Sequence, residues 1–176
     1  DAGFPTCGGM AGRDMAAMAV GLRAAVEHSF LADRIGQVRE LADLLASERV
    51  PIYRPVGGHA VYLDAERALP DVPGDQFPGQ TLVCAGYLEG GVRTVELGSF
   101  AFPDADRPEL VRLAVPRRTY HREHLELVAE TFGTVVDRAA SLGGLTIVDQ
   151  PERASLRHFS ARLAPTGEEL LVDAAE

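Results

Sequence analysis

Leu110-Val111-Arg112-Leu113-Ala114-Val115-Pro116 is an apolar run, closed by proline, that carries a single charge. Residues 110–115 read as a strand, and the two-residue period puts Leu110, Arg112 and Ala114 on one face. Working outward, residues 92–98 read as a strand before it. Thr119 caps a helix running to about Leu142, with Glu123 in its first turn and Gly143-Gly144 beyond its end. Farther upstream, residues 59–64 form a strand after the Gly57-Gly58 turn, and residues 76–88 a helix. Downstream, residues 145–149 and 156–163 alternate as strands. The order strand, helix, strand, strand, helix, strand, strand implies an α+β fold: an antiparallel-rich sheet with helices on one face.

The N-terminal third differs. Residues 1–10 are rich in Gly and Pro and read as a loop. Met15, Met18, Leu22 and Val26 mark one helical stripe; Ile35, Val38, Leu41, Ala42 and Leu45 mark another. The stripe breaks near His28-Ser29, so two helices or one bent helix are expected, ending before Pro51. The first helix has no sheet of its own to pack on, and a domain boundary is expected within residues 28–50. Residues 165–176 form an acidic tail or linker.

The chain of 176 residues has a net charge of −9 and 46% hydrophobic residues. That supports a packed core and disfavours binding to nucleic acid. No stretch approaches the roughly 20 apolar residues of a membrane span. The start, Asp1-Ala2-Gly3-Phe4-Pro5, resembles neither a secretory leader nor a natural translation start. Cys7 and Cys84 form no CxxC motif and read as free thiols of a reducing, cytoplasmic setting. All 17 basic Lys-or-Arg residues are arginine, so the chain has no lysine.

Four segments offer chemistry. Arg112 among apolar neighbours is either a strand-edge arginine reaching water or an internal carboxylate, or a fork for a substrate carboxylate. In residues 156–163, alternation sets His158 and Ser160 opposite Phe159, Ala161 and Leu163. His158 is then an acid–base group or a solvated strand histidine. His59 follows two glycines and sits at a cleft rim or in a plain turn. His121 and His124 lie one helical turn apart without an evident third ligand, so no metal site is expected. Gly8-Gly9 and Gly90-Gly91 match no phosphate-binding fingerprint.

Several blocks, in order, resemble the β-eliminating lyases, tryptophanase and tyrosine phenol-lyase, from about Phe4 to Leu163. They include Gly8-Gly9-Met10-Ala11-Gly12-Arg13-Asp14-Met15 and Pro55 through Asp64. Asp75-Gln76-Phe77-Pro78, Val95-Glu96-Leu97-Gly98-Ser99-Phe100, Val111-Arg112-Leu113 with Pro116-Arg117, and Leu156-Arg157-His158-Phe159 complete the set. The resemblance implies the C-terminal portion of a pyridoxal-phosphate enzyme of fold type I. Residues 1–28 would end the large cofactor domain, 29–50 form a connecting helix, 51–164 the small C-terminal domain and 165–176 the tail.

The resemblance further implies β-elimination of an amino acid to pyruvate, ammonia and a leaving group. Pyridoxal phosphate would be held mainly by an N-terminal segment or partner chain, with a monovalent cation as a second cofactor and a homo-oligomer as the assembly. The Schiff-base lysine must come from that other part. Arg112 matches the arginine for the substrate α-carboxylate. Val95 and Leu97 match the leaving-group pocket and His158 and Phe159 a pair near it, and His59 stands in a matching context. Tyrosine phenol-lyase has arginine at Leu97 and Phe at His158, so these positions are closer to tryptophanase. Cys7 replaces a family tyrosine, and Ala101–Arg107 is shorter than the family's loop. Indole from tryptophan and a thiol or persulfide from S-substituted cysteine are the competing leaving groups. A non-catalytic relic domain, used for binding or oligomer contacts, is the alternative function.

Overall fold

The computed structural model describes residues 8–117 and 119–167. Two helices come first, α1 (Gly12–Ala25) and α2 (His28–Ser47), interrupted at Val26-Glu27. Strand β1 (Ala60–Asp64) leads into a single turn, α3 (Ala65–Ala68), capped by the Asp64 carboxylate, which accepts the Arg67 N–H. Helix α4 (Pro78–Gly90) follows, then β2 (Val95–Glu96), β3 (Leu110–Ala114) and α5 (Arg122–Asp137). The chain closes with β4 (Leu145–Asp149), a short α6 (Arg157–Ser160) and β5 (Arg162–Pro165).

β3 is the centre of a three-stranded antiparallel sheet of order β1-β3-β2. Tyr62 and Val95 both face Arg112 across the ladder, while Leu63 and Glu96 face Val111. Val61, Leu63, Val111 and Leu113 therefore share one face. They are buried in a single core with Val38, Leu41 and Leu45 of α2, Leu82 and Ala85 of α4, and Leu125, Phe132 and Val135 of α5. The α+β layer follows from that pattern: amphipathic helices cover the one sheet face that cannot meet water. The helices α4 and α5 approach closely at Gly86, where a Cβ would lie 2.7 Å from the Phe132 ring. β4 and β5 pair separately as an antiparallel hairpin.

Helix α1 packs differently. None of its residues is buried, and Met15, Met18, Leu22 and Val26 are exposed. The expected stripe is present but has nothing to cover it within the described residues.

Four sequence expectations are corrected. Residues 156–163 are not a strand: a 3-10 turn at Ala154–Leu156 runs into α6, and β5 begins only at Arg162. Alternation over a short segment does not distinguish a strand from a helical turn when neither face is buried, and Phe159 is 85% exposed. The helix expected from Thr119 to about Leu142 starts at Arg122 and ends at Asp137. Its first turn is closed by His124, whose Nδ1 accepts the His121 N–H at 3.2 Å, while the Thr119 hydroxyl turns back to the Arg117 carbonyl. The helix expected at 76–88 starts and ends two residues later, after a left-handed Phe77. The strand expected at 92–98 shortens to Val95–Glu96, because the following loop folds around the Glu96 carboxylate. Cys7 and residues 168–176 of the acidic tail lie outside the described residues; Pro165 itself ends β5.

Candidate functional site

Arg112 stands on the sheet face opposite the core, between Tyr62 and Val95 in register. It is half-buried, and its Nε is shielded from water with no hydrogen-bond partner. A dry, unsatisfied guanidinium N–H is an unfavourable arrangement unless an acceptor completes it. Leu97, two residues beyond Val95, projects to that face as well, and its N–H donates to the Leu110 carbonyl at 2.8 Å. Arg112, Val95 and Leu97 thus form one patch: a planar cation beside an apolar wall.

Between Val95 and Leu97, Glu96 points the other way and is 1% exposed. Its Oε1 accepts the N–H groups of Gly98 (2.6 Å) and Phe100 (3.2 Å), and its Oε2 accepts that of Ala101 (2.9 Å). The buried Glu109 lies alongside; its oxygens accept the N–H groups of Ser99 (2.7 Å) and Gly79 (3.2 Å). The closeness explains Gly98, where any Cβ would fall 2.5 Å from Glu109 Oε2. Arg157 clamps the outside of this loop, donating from Nε to the Phe100 carbonyl (2.8 Å) and from Nη2 to the Ser99 carbonyl (2.5 Å).

His158 follows Arg157 on α6. Its Nδ1 is buried, has no hydrogen-bond partner, and lies 3.7 Å from Glu96 Oε2. The ring centroid is 6.0 Å from that of Phe100 and 5.2 Å from that of Phe159, which meets it edge-on. His59 is exposed ahead of β1. What it contributes here is its backbone carbonyl, which accepts the Val115 N–H and an Arg34 N–H. The structure therefore brings Arg112, Val95 and Leu97 together and sets His158, with Phe159, against Glu96.

Sequence reading missed Glu96, Glu109 and Arg157. A signal existed for Glu96: it alternates with two apolar residues assigned to the pocket face, so it had to point toward the core.

Burial pushes the Glu96 carboxyl up to about 7, against the three N–H groups that favour its anion; the charge of Glu109 adds to the rise. Burial lowers His158 and raises the Cys84 thiol. The Glu96 shift makes folding pH-dependent. Below its unfolded value of 4.5, Glu96 is protonated in both states and its contribution is fully present. From 4.5 to about 7 the unfolded chain releases a proton that the folded chain keeps, so stability falls as pH rises. The whole loss is on the order of 3 kcal/mol. Urea unfolding across that window should show the decline, and Glu96→Gln should flatten it; an unchanged slope in the variant would rule out Glu96 as its source.

No cluster of three or more His, Cys, Asp or Glu among the described residues could hold a metal ion. No helix among them is long and apolar enough to cross a membrane. A separate open groove of about 580 Å³, lined in part by Cys84, Tyr87, Thr94 and Leu163, lies beside α4 and the hairpin and includes none of the patch residues. With no lysine anywhere in the chain, these residues provide no covalent anchor for an aldehyde cofactor.

No family model matches the chain. A probable tryptophanase of Halobacterium salinarum is 61% identical over 163 residues, covering 93% of this chain and 36% of that protein. A tryptophanase of Salinibacter ruber is 46% identical, covering 95% of this chain and 36% of its own length. A tyrosine phenol-lyase of Intrasporangium calvum is 44% identical, covering 97% and 37%. The chain thus spans little more than a third of the length of these relatives.

Proposed function

Because the chain is a tryptophanase- and tyrosine phenol-lyase-like C-terminal portion, we propose that it supplies the carboxylate clamp and leaving-group wall of a β-eliminating lyase. The complete protein would convert an amino acid to pyruvate, ammonia and a leaving group. Pyridoxal phosphate, on which these lyases depend, would be anchored by a lysine outside this stretch, and no step through it is assigned to these residues. The exposed apolar face of α1 is where that other part would pack. In this reading residues 1–28 finish the large domain, 29–50 connect, and 51–164 form the small domain of a cytoplasmic homo-oligomer.

One observation carries the reading: a dry, unpartnered Arg112 Nε on a half-exposed sheet face, directly across from Val95. The guanidinium fork would bind the substrate carboxylate through paired charge-assisted N–H···O bonds. That fixes the amino acid's orientation before any bond breaks. Val95 and Leu97 would then wall the side-chain pocket, with His158 and Phe159 nearby and His59 at the rim.

Leu97 decides what such a pocket refuses. An apolar wall offers no partner to a phenolic hydroxyl, and leaving that group unpaired costs roughly 1–3 kcal/mol. Tryptophan or S-substituted cysteine should therefore exceed tyrosine in kcat/KM by at least about tenfold. In the Ala101–Arg107 segment, where Arg107 stacks 4.1 Å over Phe102, the chain is shorter than the family's loop and would cover less of a large planar leaving group. That favours small sulfur leaving groups over indole. Pyruvate release from the three substrates under one condition tests both statements; tyrosine as best substrate would end the reading of Leu97.

A further inference from the structure

We infer that Tyr62 is a second carboxylate-binding residue of this site, its hydroxyl donating to the same substrate carboxylate that the Arg112 fork holds. The inference deepens the lyase reading and rests on its carboxylate clamp.

The ladder carries the assignment. Tyr62 lies directly across from Arg112. Its carbonyl accepts the Tyr53 N–H (2.7 Å), and the Asp64 N–H goes to the Pro51 carbonyl (3.0 Å), so the backbone of both residues turns away from β3. The bonds to β3 fall on the alternate residues. The Val115 N–H donates to the His59 carbonyl (3.0 Å), and the Ala65 N–H to the Glu109 carbonyl (2.9 Å). Tyr62 and Arg112 are therefore a non-hydrogen-bonded pair, the kind whose side chains stand closer, with Cα atoms about 4.5 Å apart rather than about 5.5 Å. Val95 meets Arg112 in the wider kind, because the Leu97 N–H donates to the Leu110 carbonyl two residues along (2.8 Å). Of the two in-register neighbours of Arg112, the tyrosine is thus the nearer, and the pleat sends both side chains off the same face.

Both side chains lack partners of their own. Arg112 pairs with no carboxylate among the described residues, and its Nε is dry and unsatisfied. The carboxylate diagonally beside it, on Asp64, caps α3 by accepting the Arg67 N–H at 3.2 Å. The Tyr62 hydroxyl has no hydrogen-bond partner among the described residues either, and its residue is half-buried. Val95, Leu97, Leu110 and Ala114, which share the face, bring no polar side chain to either of them. A guanidinium and a phenolic hydroxyl side by side, both donors and neither engaged, are complementary to a single oxyanion. The fork takes two lone-pair directions of a carboxylate, and the hydroxyl takes a third. The third bond stops the carboxylate from pivoting in the fork, and so fixes the direction in which the rest of the amino acid leaves it.

The test uses the complete, lysine-bearing protein and 3-phenylpropionate, a carboxylate with an apolar arm and no amino group. Its affinity is measured by calorimetry, so the readout needs no turnover. Tyr62→Phe removes one oxygen from a residue that makes no hydrogen bond within the fold, so the variant should fold as the unsubstituted protein does. It should bind 3-phenylpropionate about tenfold more weakly, the loss of one hydrogen bond to a charged group. 3-Phenylpropanol, the same arm without the carboxylate, should bind the two proteins alike. With amino-acid substrates the matching loss in kcat/KM should lie in KM, because the bond is made before and during reaction alike. Unchanged binding of 3-phenylpropionate by Tyr62→Phe, while Arg112→Lys weakens it, overturns the role of Tyr62 and leaves the clamp standing. Indifference to Arg112→Lys overturns the clamp and the role of Tyr62 together. An equal loss for 3-phenylpropanol reduces Tyr62 to a packing residue and overturns the inference as well.

Discussion

Replacing Arg112 with lysine in the complete protein is expected to lower kcat/KM by about a hundredfold or more, roughly 3 kcal/mol. Lysine keeps the positive charge, so the loss isolates geometry. A guanidinium offers parallel N–H groups to a carboxylate, whereas an ammonium is a point charge on a flexible stem. Arg112 is well placed for the fork: its strand is the middle of the sheet, paired on both sides through Tyr62 and Val95. The variant should fold normally, because Arg112 shares no core contact with Val111 or Leu113, which face the other way. Steady-state kinetics with circular dichroism as the folding control decides the matter. A folded Arg112→Lys protein with unchanged kcat/KM would remove Arg112 from the site.

Phe132→Ala is expected to destabilise the domain by about 3–5 kcal/mol, the usual range for deleting a buried aromatic ring. Phe132 is 0% exposed and sits where α5 meets α4. Whole domains are commonly stable by only about 5–15 kcal/mol, so this one substitution brings the fold near its limit. The contact with Gly86 makes a sharper test. A methyl added there would lie 2.7 Å from two ring carbons, so Gly86→Ala should be destabilising by itself. With the ring gone, the same methyl enters the vacated space, and Gly86→Ala should become neutral or stabilising. Urea denaturation of the four members of the cycle checks this; simple additivity would mean that the two helices do not meet through this pair.

The sheet is legible in the sequence because its strands alternate against a buried face. The expected strands at 59–64 and 110–115 fall within a residue of β1 and β3, and alternation sets Arg112 with Leu110 and Ala114; that Val95 faces it is a matter of register between strands. The segment 156–163 is not legible, since nothing in its composition says that Arg157 reaches back to the Ser99 and Phe100 carbonyls and holds a helical turn there. The carboxylate pair is hidden for a related reason. Glu109 lies outside any strand, and its meeting with Glu96 depends on where the intervening loop returns, a tertiary fact with no local signature. The start of α5 turns on His124 rather than on Thr119, because an imidazole one turn in can accept the free N–H as well as a hydroxyl can.

The strand order has a consequence for biosynthesis. β1 and β2 are both made before β3, and each pairs with β3 within the sheet. As the nascent chain leaves the ribosome, residues 60–64 and then 95–96 emerge with their sheet partner still untranslated. β2 cannot complete its ladder until residue 112 is out, nor β1 until residue 114, some 50 residues after β1 began. Through that interval the edge of β1 that later pairs with β3 is an open template for any other unfinished strand, and its apolar face is uncovered. Helix α2, already synthesised, and α4, made within that interval, are the elements able to shelter that apolar face. Slowing translation shortly after β3 should therefore favour recovery of folded protein, while a pause between β1 and β3 should favour aggregates.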